Sequence, residues 1–166
     1  MINMNIKIKK RHLFYKGYKL KCCVGKSGIT ASKKEGDLAT PKGTYGIEML
    51  YYRKDRITLN KCKIKKKPIK KNMGWCDDSR SKKYNKQINF PFKYRAEKLH
   101  RKDKIYDLII NIKYNFSPVV KKKGSAIFLH IAKKNYQPTQ GCVAISKKDF
   151  LKILPLINNK TSIAIN

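Results

Sequence analysis

The sequence predicts a mainly β domain, a sandwich or barrel, with one short helix near its C-terminal end. Three observations predict this class: alternating apolar and polar residues at the start, two strongly apolar runs, and one helical pattern after Ser146. At 166 residues the chain is long enough for one substantial core and too short for two comfortable ones. Residues 1–166 are therefore expected to form a single domain.

Two alternating runs predict the first strands. The first run places apolar residues at Ile2, Met4, Ile6 and Ile8, and the second at Tyr18, Leu20, Cys22 and Val24. Between them lies Lys16-Gly17, which suits a hairpin turn. The two strands are therefore expected to pair with each other.

The middle of the chain is less periodic. Residues 26–42 are rich in Gly, Ser, Thr and charge and are expected to form a loop, after which 44–52 is expected to be extended. Residues 53–104 are the most polar part and predict a long excursion over one face of the sheet. For 60–72, a mobile Lys-rich insertion is the alternative.

Towards the C terminus the pattern becomes regular again. The runs 105–113 and 125–132 are apolar and rich in β-branched and aromatic residues, which is typical of central strands buried on both faces. Ser146 and Asp149 form a capping box, and one helical face then carries Phe150, Ile153, Leu154 and Ile157. Residues 161–165 are expected to form the last strand.

Cys142 and His130 are the candidate catalytic pair. A thiol attacks a carbonyl as its thiolate, which a neighbouring imidazole helps to form. Gly141 permits a sharp turn just before the cysteine and leaves peptide N–H groups free to face an oxyanion. The pair alone is equally consistent with a buried structural cysteine and an unrelated histidine.

The residues around this pair favour catalysis. Ile127-Phe128-Leu129-His130 ends an apolar strand, and Thr139-Gln140-Gly141-Cys142-Val143 follows after a short loop. Upstream, Thr40-Pro41-Lys42-Gly43-Thr44-Tyr45 forms a second motif. Together these segments resemble the L,D-transpeptidase catalytic domain family of the YkuD type, over roughly residues 20–166. This chain is similar to a variant branch, because Gln140 stands where the familiar Ser/Thr-His-Gly-Cys motif has histidine.

The resemblance implies acyl transfer on peptidoglycan stem peptides without a cofactor. Cys142 would form a thioester at the third residue of the stem, His130 would act as base, and the N–H groups of Gly141 and Cys142 would hold the oxyanion. An amine of a second stem would then give a 3,3 cross-link, whereas water would make the protein an L,D-carboxypeptidase. The family also implies a cell-envelope or periplasmic location.

Candidates for substrate binding come from both the motif and its surroundings. Gln140 is expected to position substrate through its amide in place of the second imidazole. Ala144 stands where an arginine often follows the cysteine, so Arg80 or Arg101 is expected to bind a substrate carboxylate instead. Trp75 and Tyr84 are expected to offer aromatic contacts beside them. Asp77 and Asp78 are further candidates for polar contacts with substrate, and for these two residues a solvated loop turn is the alternative.

Cysteine spacing argues against a metal site or a disulfide framework. The five cysteines lack a C-x-x-C pair and have no histidine at finger spacing, so no metal is expected. Neighbouring residues of a strand point to opposite faces, which separates Cys22 from Cys23. Because five is an odd number, at least one thiol stays free of intramolecular pairing, and Cys142 is the candidate.

The net charge of +31 calls for an account of possible partners. Only six of the 41 basic residues are arginine, and the basic residues are scattered along the chain instead of forming a recognised nucleic-acid motif. Specific nucleic-acid binding is therefore not expected. A charge of this size predicts general attraction to polyanions, including an anionic cell envelope, that salt would weaken.

No signal peptide is visible in the first ten residues, and no apolar run approaches the roughly twenty residues that span a bilayer. No transmembrane segment is therefore expected, and a cytoplasmic location remains open. Two other functions also remain open. A cysteine peptidase or amidase would use the same Cys142 and His130, and a non-catalytic basic envelope-binding module would not need the thiol.

Overall fold

The computed structural model describes residues 5–166, whose backbone is mainly strand. Within this range there are fourteen strands and one α-helix, α1 (Lys147–Ile153). In chain order the strands are β1 (Asn5–Lys9), β2 (His12–Tyr15), β3 (Tyr18–Cys23), β4 (Ile29–Thr30), β5 (Thr40–Pro41), β6 (Gly43–Tyr52), β7 (Lys66–Pro68), β8 (Met73–Cys76), β9 (Gln87–Asn89), β10 (Ala96–Lys98), β11 (Leu108–Ile112), β12 (Phe128–Ile131), β13 (Val143–Ile145) and β14 (Ser162–Ile165).

Eight of these strands close into a barrel. Around the ring the order is β11, β12, β13, β3, β2, β1, β14 and β6, and β6 pairs back with β11. Closure leaves no free edge within the ring, while β7 adds to the second half of β6 as a short parallel strand. The expectation of a mainly β, barrel-like fold with one short helix after the cysteine is confirmed.

The pairing of the N-terminal strands differs from the prediction. β1 pairs with β2, and β2 in turn pairs with β3, so the first predicted run does not contact the second directly. The turn at Lys16-Gly17 does form, with φ of 44° and 83°, but it joins β2 to β3. The sequence pattern does not indicate β2, because the turn before it, at Lys10-Arg11, contains no glycine or proline. Ile2 and Met4 lie outside the described residues.

β11 and β12 form the wall between the two apolar clusters of the protein. Every residue of both strands is buried, as their composition predicts. In β11 the side chains of Leu108, Ile110 and Ile112 belong to the larger cluster, and that of Ile109 belongs to the smaller one. Because successive side chains of a strand point to opposite faces, this wall contributes residues to both clusters.

The excursion over residues 53–104 covers the outer face of this wall. Its strands β8, β9 and β10 form a separate three-stranded sheet in the order β10, β8, β9. From β8 the ring of Trp75 packs edge-on against Phe128 of β12, with ring centroids 5.2 Å apart. The predicted excursion therefore forms an ordered second layer, and β7 within 60–72 pairs with the barrel wall instead of lying in a mobile insertion.

The single helix follows the predicted capping box. Ser146 precedes α1, and its hydroxyl oxygen accepts a hydrogen bond from the N–H of Asp149 at 3.1 Å. On the predicted face, Phe150, Ile153, Leu154 and Ile157 are all buried in the larger cluster. Among residues 5–166, no helix has the length and apolar character needed to cross a membrane.

Candidate active site

The loop before β13 holds Cys142 through a chain of hydrogen bonds. The Thr139 hydroxyl donates to the carbonyl oxygen of Cys142 at 2.6 Å and accepts from the N–H of Gly141 at 3.1 Å. On its other side, the backbone of Thr139 exchanges hydrogen bonds with Val24 and Lys26 at 3.0 and 2.9 Å. The loop is therefore fixed both internally and to the segment that leaves β3.

The upstream Thr-Pro motif supports this loop from behind. The hydroxyl of Thr40 accepts a hydrogen bond from the N–H of Gly25 at 2.8 Å, which ties β5 to the same segment. Gly141 has φ +138°, and a Cβ at this position would lie 2.9 Å from the carbonyl oxygen of Ala39. Only glycine combines this backbone conformation with so close an approach.

The Cys142 sulfur is buried and bonded in the resting protein. It donates to the carbonyl oxygen of Ala126 at 3.1 Å and accepts from the N–H of Phe128 at 3.4 Å. Burial, and then the carboxylate of Glu97, raise the pKa of the Cys142 thiol to about 12. The sulfur is therefore a protonated thiol at neutral pH until something removes its proton.

His130 lies in β12 opposite Ala144 of the adjacent strand β13, and Cys142 immediately precedes β13. Its Nδ1 donates to the carbonyl oxygen of Ile131 at 2.9 Å, because a carbonyl oxygen can only accept. Burial lowers the pKa of the imidazole to about 4, which keeps it neutral at pH 7. In this tautomer Nε2 carries a lone pair and is available as a base.

Both residues line one cavity of about 210 Å³. The hydrogen bonds that the sulfur makes within residues 5–166 go to Ala126 and Phe128, so the thiol proton points at Ala126 and not at the imidazole. The thiol proton must therefore leave the Ala126 carbonyl oxygen before it passes to the imidazole. The arrangement of a neutral base, a buried thiol and a shared cavity suits nucleophilic chemistry that begins when substrate enters.

The two backbone N–H groups expected at the oxyanion site are not equivalent. The N–H of Gly141 already donates to Thr139, as described above. By contrast, no hydrogen bond within residues 5–166 uses the N–H of Cys142. The N–H of Cys142 is thus the one available to an oxyanion, and Gly141 contributes mainly through its backbone conformation.

Of the substrate-binding candidates, Gln140 and Arg101 line the cavity. Gln140 is exposed, and its side-chain amide makes no hydrogen bond within the described part of the chain. Arg101 pairs with Asp103 at 2.6 Å, and its guanidinium carbon lies 5.3 Å from the centre of the Tyr106 ring. Both side chains are available to substrate, but Arg101 would have to give up its ion pair with Asp103 to bind it.

The other three candidates, Trp75, Tyr84 and Arg80, do not line this cavity. Trp75 is 3% exposed and donates from Nε1 to Asn85, and Tyr84 is 1% exposed and donates to Glu35. The side chain of Arg80 is 79% exposed and pairs with Asp78 at 2.7 Å. The structure therefore places the two rings in the core and Arg80 in a surface turn, all three outside the cavity lining, and their contact with substrate stays a prediction.

Sequence reasoning did not single out Glu35, Glu97, Lys33 or Lys133 of the cavity, whereas it did consider Asp77. Only ten residues of the chain are acidic, yet three of them line this one cavity: Glu35, Asp77 and Glu97. Lys33 and Lys133 join them there. The scarcity of acidic residues could have indicated the cavity, because in so basic a chain each carboxylate is a candidate for a specific role.

All five cysteines are free, and Cys76 is completely buried away from the cavity. Among the described residues, no group of three or more His, Cys, Asp or Glu side chains is arranged to hold a metal ion.

One comparison with known proteins gives a match. The family model YkuD, described as the L,D-transpeptidase catalytic domain, matches residues 5–165. No match was found among curated proteins or among solved structures.

Proposed function

The chain belongs to the L,D-transpeptidase catalytic domain family, and from that premise we propose that it transfers an acyl group of a peptidoglycan stem peptide through a thioester on Cys142. The donor is a tetrapeptide stem whose third residue is a diamino acid and whose fourth is D-alanine. The acceptor is an amine of a second stem, which yields a 3,3 cross-link.

Acylation begins with a proton transfer inside the cavity. The thiol proton of Cys142 leaves the carbonyl oxygen of Ala126, and Nε2 of the His130 imidazole takes it. The thiolate attacks the carbonyl carbon of the third residue of the donor, and a carbon–sulfur bond forms. The bond from that carbon to the nitrogen of D-alanine then breaks, and His130 gives its proton to the departing amine.

The surrounding backbone stabilises the two charges that develop in this step, on the imidazole and on the carbonyl oxygen of the donor. The carbonyl oxygen of Ile131 holds the proton on Nδ1 and stabilises the imidazolium while it exists. The free N–H of Cys142 faces the developing oxyanion, and one such donor is worth roughly 3 kcal/mol in other acyl transfer enzymes. Because Cys142 and His130 are both buried, these interactions are screened by water less than they would be at the surface.

The single observation that carries this proposal is the shared cavity of Cys142 and His130. A structural cysteine and an unrelated histidine would have no reason to line one space in a chain of this family. The neutral state of the imidazole supports it further, because a base must be unprotonated to accept the thiol proton.

Mass spectrometry of the intact protein with a tetrapeptide stem tests the proposal. We expect release of D-alanine and an adduct on the tryptic peptide that contains Cys142. Cys142→Ala should give no adduct, whereas Cys76→Ala, which removes another buried thiol outside the cavity, should keep the adduct. Absence of adduct and of free D-alanine with folded wild-type protein would contradict the proposed function.

A further inference from the structure

Glu97 is the cavity carboxylate whose hydrogen-bond partner, Tyr106, packs against His130. Its Oε1 accepts a hydrogen bond from the Tyr106 hydroxyl at 2.7 Å. Its nearest ion-pair partner is Arg101 at 3.9 Å, and that guanidinium is already bound to Asp103 at 2.6 Å. Within residues 5–166, Oε2 of Glu97 receives no hydrogen bond, so this oxygen remains available to a ligand in the cavity.

The other two carboxylates of the cavity are bonded to different parts of the structure. Oε2 of Glu35 accepts from the hydroxyls of Tyr84 and Ser125, the latter at 2.7 Å. Oδ1 of Asp77 is paired with Arg95 at 3.0 Å. In the described residues each of the three keeps one oxygen for a ligand, and Glu97 is the one whose bonded partner contacts the histidine of the proposed pair.

The position of Glu97 connects it to the catalytic pair. Tyr106, which donates to its carboxylate, packs edge-on against the His130 ring with centroids 5.2 Å apart. Burial raises the pKa of Glu97. The negative charge of its carboxylate in turn helps burial to raise the pKa of the Cys142 thiol. Glu97, His130 and Cys142 line the same cavity, so a group bound at Glu97 would share that cavity with a thioester on Cys142.

We propose that Glu97 binds the ammonium group of the acceptor stem and takes its first proton, so that an amine and not water resolves the thioester. This inference rests on the proposed function, because it needs an acyl group on Cys142. An alkylammonium is the form in which the acceptor side chain exists in neutral water, with a pKa of about 10.4. Partial burial of Glu97 disfavours its charged form and raises its pKa, so proton transfer from a bound ammonium is easier here than between the same groups in water.

The proposed step balances in protons and bonds. The ammonium gives one proton to Glu97, and the nitrogen lone pair attacks the thioester carbonyl carbon to form a carbon–nitrogen bond. His130 takes a second proton from this nitrogen, the carbon–sulfur bond breaks, and the sulfur receives the proton from His130. Glu97 finally releases its proton to solvent, which restores the resting cavity.

The test measures how the thioester is divided between amine and water. Donor tetrapeptide and a tripeptide stem that ends in the diamino acid are incubated with wild type, Glu97→Gln and Glu97→Asp. Cross-linked dimer, hydrolysed tripeptide and free D-alanine are quantified by liquid chromatography and mass spectrometry. Glu35→Gln is the matched control, since it removes a carboxylate from the same lining that is already held by two hydroxyl groups.

We expect Glu97→Gln to lower the ratio of cross-linked to hydrolysed product at least tenfold. D-Alanine release should rise, because loss of the carboxylate eases formation of the Cys142 thiolate; a merely structural role would slow both reactions. Raising the pH towards 10 should restore much of the ratio, because free amine is then supplied by the solvent. Glu97→Asp should retain more of the ratio than Glu97→Gln, and Glu35→Gln should change it less.

Two results would overturn different statements. If wild type releases no D-alanine, the proposed function fails before Glu97 is tested. If wild type cross-links and Glu97→Gln keeps its ratio, or if the loss is not restored by higher pH, the assignment of Glu97 is wrong while the acyl transfer stands.

Discussion

Gly141 approaches Ala39 so closely that a methyl group on its Cα would lie 2.9 Å from the Ala39 carbonyl oxygen. The contact joins the loop before the nucleophile to the loop that carries the Thr-Pro motif. Two segments that are far apart in sequence thereby set the position of one sulfur atom. The predictions that follow concern this contact and the other groups that fix the cavity.

Gly141→Ala should reduce acylation of Cys142 by roughly 100-fold, because displacement of a nucleophile by about 1 Å has effects of that size. The positive φ adds about 1–2 kcal/mol of backbone strain. Gly17→Ala is the control: this glycine also has positive φ, but nothing lies within 4 Å of its added Cβ. The rate of adduct formation should separate the two variants, and equal rates would show that the contact with Ala39 is unimportant.

The acid limb of the acylation rate should lie below the ordinary histidine pKa of 6.5, because burial lowers the pKa of His130 to about 4. As pH falls through the folded pKa, the imidazole becomes protonated and cannot take the thiol proton. The rate of D-alanine release measured from pH 4 to pH 8 tests this. A limb centred at 6.5 would show that the imidazole is not buried in the active protein.

The same pKa shift should appear in stability. The unfolded chain takes a proton on His130 below pH 6.5 and the folded chain only below about 4, so stability present above pH 6.5 is lost as pH falls towards 4. The loss should amount to roughly 3 kcal/mol. Urea unfolding of wild type and His130→Gln should give free energies whose difference changes over that range, and parallel curves would argue against a buried neutral imidazole.

Tyr84→Phe should destabilise the protein by about 1–3 kcal/mol, because it leaves buried polar groups without partners. The Tyr84 hydroxyl donates to Glu35 and accepts from the N–H of Gly124 at 3.0 Å, which joins two loops beside the cavity. Urea unfolding measures the effect. Tyr18→Phe removes a hydroxyl from an exposed ring and should change the free energy of unfolding by a few tenths of a kcal/mol at most.

Gln140→Ala should raise KM for the donor stem more than it lowers kcat, because its free amide lines the cavity without contacting the sulfur. Steady-state kinetics of D-alanine release provide the measurement. Cys142→Ala should abolish the reaction in the same assay. A loss from Gln140→Ala as large as that from Cys142→Ala would mean that the amide takes part in the chemistry.

Most strands of the barrel and the proposed catalytic pair were predictable from local pattern, with β2 as an exception. Alternation identified β1 and β3, the turn residues before β6 indicated that strand, and continuous apolar runs identified β11 and β12 as walls buried on both faces. Cys142 and His130 lie in short motifs whose chemistry can be read from neighbouring residues. In each case the information is carried by residues close together in the chain.

The remaining parts of the site depend on contacts between distant segments. Trp75 and Arg80 lie five residues apart, but the sheet of β8, β9 and β10 buries Trp75 against Phe128 and leaves Arg80 at the surface. Glu97 gave no local signal, because only the packing of β10 brings it beside Tyr106 and the cavity. Sequence pattern indicates which residue types are present and does not indicate which layer will cover them.

The parallel pairing of β1 with β14 sets Asn5 opposite Ser162, so the ring of strands is completed across almost the whole described chain. A ribosome delivers β1 first of these strands and β14 last. The ring of strands therefore cannot close until β14 has emerged, although the segments that carry Cys142 and His130 emerge before it. The nascent chain would thus carry both side chains of the proposed catalytic pair for some time before the barrel that positions them is complete.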